Sequence, residues 1–507
     1  MKIGTRLLQI LLFGLMSPLL CAQPTVMTDK GTVEGSELPA GGAVFKGIPF
    51  AQPPTGALRW QEPRPVQPWA GVRKATEFGA GCIGKGPQSS EDCLYINVWN
   101  AEWPARTRKP VMLWIYGGGN FEGTTSDPKF NGESLARHGV VLVSANYRLG
   151  IFGFFAHPQL AQESPHRTSG NYGLLDQIAA LRWIKANIEK FGGDPNNVTV
   201  FGESAGSLDV NVLLASPLTA GLFKRLIGES GPALTVLTRQ QGEAKGIAAA
   251  GKVGVNAAPD VLAALRKVGP DELVAATGQG LAFVGPELGV IQDGYVLTAP
   301  VLQTFEAGRQ HKVDMILGSN SRELQRPFFP LRGGLADAVK DQYGPLSDRM
   351  MTLLGISGGA NPAPHPLHGD AMAQWATDTQ FRCGTVQELI WHTRAGNAAY
   401  QFEFARAAPG REAVGATHGA EVSYVFGTLG DKPYDAVDRA VSQTMQNYWT
   451  NFAKTGDPNG SGLPRWPRFT PDKRAYIEFN SAGPVAKDNL RATVCDVYMA
   501  NIKRQDH

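Results

Sequence analysis

The 507-residue sequence has no low-complexity tract, no internal repeat and no linker that cleanly divides it, so neither a repeat array nor a string of separable modules is indicated. Basic residues do not cluster, and the net charge is only +3, which argues against a nucleic-acid partner. Beyond the first twenty or so residues no stretch is long and apolar enough to span a bilayer. Cysteine is scarce, at five residues. What is present is an ordinary globular composition, 43% hydrophobic and 18% charged, with 60 glycines.

The amino end is a recognisable leader. Lys2 and Arg6 precede an almost wholly apolar run from Leu7 to Leu20, followed by Cys21-Ala22-Gln23. A short positive segment, an apolar core and a small residue before a polar one describe a secretory signal over residues 1–22, cleaved after Ala22. The alternatives are an N-terminal membrane anchor, for which about fourteen apolar residues is short, and a lipid-bearing Cys21, for which the bulky Leu20 before it is unfavourable. Cleavage leaves Cys82, Cys93, Cys383 and Cys495, an even number that permits two disulfides in a secreted or periplasmic protein. Spacing suggests a local loop, Cys82–Cys93, and a long-range tie, Cys383–Cys495; free buried thiols are the other reading.

Along the chain, residues 23–80 read as short strands and turns. Tyr95-Ile96-Asn97-Val98-Trp99 alternates like a strand, while Val111 to Tyr116 and Val140 to Val143 are continuous apolar runs of the kind covered on both faces. Leu174, Ile178, Leu181, Ile184 and Ile188 recur at helical spacing, ended by Gly192-Gly193-Asp194-Pro195. Val198-Thr199-Val200-Phe201, Met315-Ile316-Leu317 and Tyr400 to Phe404 supply further strands. Strands alternating with helices predict an α/β fold with a mainly parallel sheet and helices on both faces. The interval of about 325–380, broken by Gly, Pro and Ala, reads as a helical cap inserted in one domain spanning 23–507.

Gly202-Glu203-Ser204-Ala205-Gly206 lies between a strand and a segment able to be helical, Leu208 to Leu214. A serine between two glycines at such a junction fits a nucleophile elbow, though for the string alone an ordinary glycine-rich turn is the better explanation. A nucleophilic serine needs a base, a group orienting that base, and amide donors for a developing oxyanion. Tyr116-Gly117-Gly118-Gly119 follows a strand, so Gly118 and Gly119, with Ala205, are candidate oxyanion donors. Among nine histidines, His418 stands in Gly415-Ala416-Thr417-His418-Gly419-Ala420-Glu421, a loop after a strand. Glu323, in Gly318-Ser319-Asn320-Ser321-Arg322-Glu323, completes the order Ser, acid, His. Spacing alone leaves open a solvated loop histidine and an exposed glutamate paired with Arg322.

With these motifs in place the chain resembles type B carboxylesterases, the cholinesterase-like branch of the α/β-hydrolases, in a bacterial-type secreted form. The stretches that carry the resemblance are Phe45–Trp60, Glu91–Val98, Trp114–Gly119, Asn146–Gly150, Gly170–Gln177, Gly202–Gly206, Gly318–Glu323, His418–Gly427 and Phe452–Pro458. They run in family order from about residue 25 to 500. The resemblance implies a twisted, mainly parallel α/β-hydrolase sheet and a serine esterase acting on small ester substrates without cofactor or metal. It implies Ser204 as nucleophile, Glu323 as orienting acid, His418 as base, and Gly118, Gly119 and Ala205 as oxyanion donors. Glu203 and Ser230 fall beside the triad, and the four cysteines match a two-disulfide pattern of the family.

Two departures bear on specificity. Asn120 stands where the family usually has an aromatic, which predicts a more polar pocket wall. The Cys82–Cys93 loop carries no aromatic, so the cation–π contact with which cholinesterases hold a quaternary ammonium is not expected and choline esters are disfavoured. Two other classes remain compatible with the sequence: a non-catalytic cholinesterase-like binding or adhesion module, and a hydrolase of amides, carbamates or polyester fragments using the same triad.

Overall fold

Continuous runs of β-branched and aromatic residues bury their side chains only where a sheet is covered on both faces. In the computed structural model, which describes residues 23–84, 89–234, 236–277, 288–328, 331, 333–431 and 433–505, such runs build one large mixed sheet. Residues 1–22, where the leader is expected, lie outside the described residues.

The strands are β1 (Ser36–Glu37), β2 (Ala43–Pro49), β3 (Tyr95–Asn100), β4 (Lys109–Ile115), β5 (Val141–Ala145), β6 (Gly193–Glu203), β7 (Arg225–Glu229), β8 (Asp314–Asn320), β9 (Ala399–Phe404), β10 (Ala475–Asn480) and β11 (Gly483–Asp488). Their spatial order is β11-β10-β9-β8-β7-β6-β4-β5-β3-β2-β1. The run from β5 through β10 is parallel throughout, and antiparallel strands flank it on both sides. Chain direction across the sheet reverses at β4, because β5 lies on one side of it and β6 on the other. Successive right-handed crossovers therefore part to opposite faces there, and a crevice opens beyond the carboxyl ends of β4 and β6.

The expected helix is α1 (Tyr172–Asn187). A 3₁₀ turn extends it, and Gly192, at φ 83°, ends it in the left-handed conformation that glycine adopts without a Cβ penalty. α2 (Ala205–Ala215) follows β6 directly. After β8 come three short helices, α3 (Leu335–Tyr343), α4 (Ser347–Leu354) and α5 (Ala371–Thr377), and then α6 (Cys383–Arg394) leads to β9. The long α7 (Ala436–Thr455) and the C-terminal α8 (Ala492–Gln505) complete the helical layers.

Two readings of the sequence change. β3 alternates in its letters but is buried from Ile96 to Asn100, because it lies between β2 and β5 rather than at an edge. Its asparagines are accommodated by hydrogen bonds, Asn97 Nδ2 donating to Thr125 Oγ1 at 3.0 Å and Ser144 Oγ at 3.1 Å. β7 and β10 were not expected as strands: β7 is five residues holding an arginine, a glycine and a glutamate, and β10 reads as alternating yet is buried over most of its length. Among the described residues no helix is long and apolar enough to cross a membrane.

Both expected disulfides are present, Cys82–Cys93 and Cys383–Cys495. The second joins α6 to α8 across 112 residues of sequence. Cross-linking so long a loop restricts the unfolded chain by about 4–5 kcal/mol. The double variant Cys383→Ser/Cys495→Ser is therefore expected to lose about 3–5 kcal/mol of stability in urea denaturation, with the Cys82–Cys93 pair intact.

Candidate active site

Gly202 on β6 stands in register with Ile115 on β4, so the turns leaving these neighbouring strands emerge side by side. The turn after β6 is very tight. A Cβ on Gly206 would lie 2.1 Å from the Ile115 carbonyl oxygen, and one on Gly202 2.6 Å from the backbone of Gly206. Any side chain at either position would force the turn apart. Between them Ser204 sits at φ 58°, ψ −123°, a strained conformation for a residue with a Cβ. Its amide is held by the Glu229 carbonyl at 2.8 Å. The strain is thus imposed by two strands and a helix, and it lifts the serine hydroxyl out of the sheet at the head of α2.

His418 reaches this hydroxyl. Its Nε2 lies 2.7 Å from Ser204 Oγ, and its Nδ1 lies 2.8 Å from Glu323 Oε2. The other oxygen of Glu323 accepts from Ser230 Oγ at 2.6 Å and from the Asn320 amide at 2.6 Å, while the His418 amide donates to the Glu323 carbonyl at 3.0 Å. The structure thus brings Ser204, His418, Glu323 and Ser230 together from four separate segments. The Phe381 ring, 4.6 Å from the imidazole centroid to centroid, and Phe328 at 6.2 Å cover the ring.

The loop after β4 forms the opposite wall. Gly118 and Gly119 have φ 98° and 64°, and a Cβ on Gly117 would come within 2.8 Å of Ser204 Cβ. Among the described residues no protein acceptor takes the N–H of Gly118, Gly119 or Ala205. Three free donors therefore border the serine, as an oxyanion site needs. Asn120 departs from expectation. It is 5% exposed, with its amide turned into the protein, so it does not make the pocket wall polar. A cavity of about 550 Å³ opens beside this loop, and its charged lining comes from Glu122, Asp127, Lys129 and Glu203.

Other histidines are employed elsewhere. His392 is buried in α6, its Nε2 2.9 Å from the Val313 carbonyl oxygen. His365 and His368 stack on each other, and His368 pairs with Glu403. His507 lies outside the described residues.

Glu203, expected beside the triad, does reach it, whereas Glu229, Glu421 and Arg382, which also shape the site, were not singled out from sequence. Glu203 Oε1 approaches His418 Nε2 to 3.3 Å. Glu421 accepts from Asn320 Nδ2 at 2.5 Å, and Glu229 accepts from Trp449 Nε1 at 2.8 Å. Burial pushes Glu203 upward from the usual carboxylate range, Glu229 up to about 8, and Glu421 well above its ordinary value. Arg382, fully buried, donates to the Ser321 carbonyl at 2.9 Å, to Glu403 at 2.9 Å and to Asp378 at 2.5 Å. It thereby fixes the segment that carries Glu323. Glu229, Glu421 and Arg382 carry no local sequence signal, since each is fixed by contacts with distant segments.

Burial alone would lower His418, but the Glu203 carboxylate and the Glu323 hydrogen bond outweigh it and hold the ring at about 8. Removing the Glu203 charge withdraws part of what favours the imidazolium, so the proton should leave at lower pH. In an NMR titration the His418 ring is expected to titrate near pH 8, and in Glu203→Gln below that. An unchanged or raised midpoint would contradict the geometry.

Comparisons with known proteins agree with this architecture. The Carboxylesterase family model matches residues 22–334 and 361–498. The chain is 36% identical over 472 residues to a fumonisin B1 esterase of Sphingopyxis macrogoltabida, covering 87% of this chain and 84% of that protein. It is 34% identical to a liver carboxylesterase of Sus scrofa, covering 92% and 90%. The solved structure of a PNB esterase superposes with a TM-score of 0.81 at 30% identity, covering 94% of this chain and all of that one.

Proposed function

The chain belongs to the carboxylesterase family and hydrolyses carboxylic esters, and from that premise we propose that Ser204 is its nucleophile, His418 its base and Glu323 the acid that orients the base. The observation that carries this reading is the unbroken line of hydrogen bonds from Ser204 Oγ through the imidazole to Glu323, at 2.7 and 2.8 Å. His418 Nε2 takes the Oγ proton as Oγ attacks the ester carbonyl, and the tetrahedral oxyanion is held by the amides of Gly118, Gly119 and Ala205. Collapse expels the alcohol, which receives its proton from Nε2–H. Water, deprotonated by the same nitrogen, then attacks the acyl-enzyme, and the acid leaves as Ser204 regains its proton. Glu323 keeps the proton of His418 on Nδ1 and stabilises the imidazolium.

The same reading treats residues 23–507 as one α/β-hydrolase domain, with a cap-like insertion at about 325–380 whose helices α3 to α5 shape access to the crevice. Within that interval the family match is interrupted at 335–360. We further propose that residues 1–22 direct the protein to the periplasm or out of the cell. The two disulfides support an oxidising destination.

Ser204→Ala is expected to lower kcat/KM on a p-nitrophenyl ester by about 10⁴-fold or more, with the melting curve unchanged. Substantial turnover by the purified variant would overturn the assignment.

A further inference from the structure

Asn120 and Asp209 share a buried hydrogen bond between two separate segments that border Ser204. Asn120 follows the glycine loop and is itself left-handed, at φ 61°. Its Nδ2 donates to Asp209 Oδ1 at 2.9 Å, Tyr147 donates its hydroxyl to Asn120 Oδ1 at 3.1 Å, and Gly150 donates its amide to the Asn120 carbonyl at 2.7 Å. Asp209 lies on α2, one turn beyond Ala205 and so on the same face of the helix. It is fully buried and, among the described residues, has no cationic partner. Its second oxygen accepts from Gln177 Nε2 at 2.5 Å. Burial pushes this carboxyl up to about 7 against the two amide bonds. An unpaired carboxyl in such a place is costly to keep and contributes little net stability.

What the bond does is mechanical. Gly118 and Gly119 ride on the loop after β4, and Ala205 rides on the first turn of α2. These are separate segments, and the Asn120–Asp209 bond is a direct side-chain link between them. We infer that Asn120 and Asp209 are a positioning pair that sets the distance between the glycine loop and the head of α2, and hence the oxyanion geometry. The inference rests on Ser204 being the nucleophile. It assigns neither residue a contact with substrate.

The geometry also supplies its own control. Gln177 Oε1 is buried without a partner, so in Asp209→Asn the Gln177 amide can turn over and accept from the new Nδ2, while Asn120 keeps its acceptor. Asp209→Asn should therefore preserve the link, and Asp209→Ala should break it. Asn120→Gly breaks it from the other side without backbone strain, since glycine accepts φ 61°.

The test measures kcat and KM on a p-nitrophenyl ester, melting temperature, and inhibition by a trifluoromethyl ketone, whose serine adduct places an oxyanion against the three amides. Asn120→Gly and Asp209→Ala are expected to lose about 10²-fold in kcat, with KM within about threefold. Ketone affinity should weaken by a similar factor, while Asp209→Asn stays near the parent. Folded variants with unchanged kcat, a kcat loss without weaker ketone binding, or an Asp209→Asn defect equal to that of Asp209→Ala would each overturn the pair. If only one breaking variant folds, that variant decides; if neither folds, the role is structural and the proposal fails. An inactive Ser204→Ala beside a fully active Asn120→Gly refutes the pair alone. An active Ser204→Ala refutes the nucleophile assignment and the pair with it.

Discussion

The close approach of Gly206 to the Ile115 carbonyl oxygen is the constraint from which the site follows. It lets α2 begin immediately after β6, wedged against β4, and leaves Ser204 no ordinary backbone conformation. Strain of this kind costs of order 1–3 kcal/mol and persists only when the surroundings over-determine it. Here they do, because the Ser204 amide is tied to β7 and the Ser230 amide to the Gly318 carbonyl on β8. Three adjacent parallel strand ends thus set the serine, Ser230 and the approach to Glu323 in one fixed row.

Electrostatics complete what the backbone begins. Glu203, Glu229, Glu323 and Glu421 are all buried, and His418 is the titratable cation among them. The Glu203 and Glu323 carboxylates favour the imidazolium, whereas burial favours the neutral ring. The balance holds the ring at about 8, close enough to neutrality for it to give and take a proton in turn. The buried Arg382, with Asp378 and Glu403, is better understood as geometry than as stability: replacing such groups with apolar ones often costs nothing, but the Asn320–Ser321 segment would lose its anchor.

Much of this was legible in the sequence because it rests on local chemistry. The runs at 111–116, 140–143 and 198–201 read as covered strands, and the glycines around Ser204 and at 117–119 lie where backbone approaches backbone. Glu323 and His418 follow strands in the order the fold demands. What was not legible depends on contacts between distant segments. Asn120 reads as a polar pocket wall until α2 presents Asp209 to it, 89 residues on. Glu229 gives no sign of its burial until Trp449 is laid over it, 220 residues on. β7 hides because its arginine and glutamate interrupt an apolar run that only the neighbouring strands β6 and β8 make sense of.

The proposed ester chemistry rests on one strained serine activated by His418. The most direct measurement is the site and stoichiometry of phosphorylation by an organophosphate, read by mass spectrometry alongside residual esterase activity. One adduct per chain on the peptide containing Ser204, rising in step with the loss of activity, is the result expected. Full inactivation with the adduct elsewhere, or full activity with Ser204 modified, would contradict it.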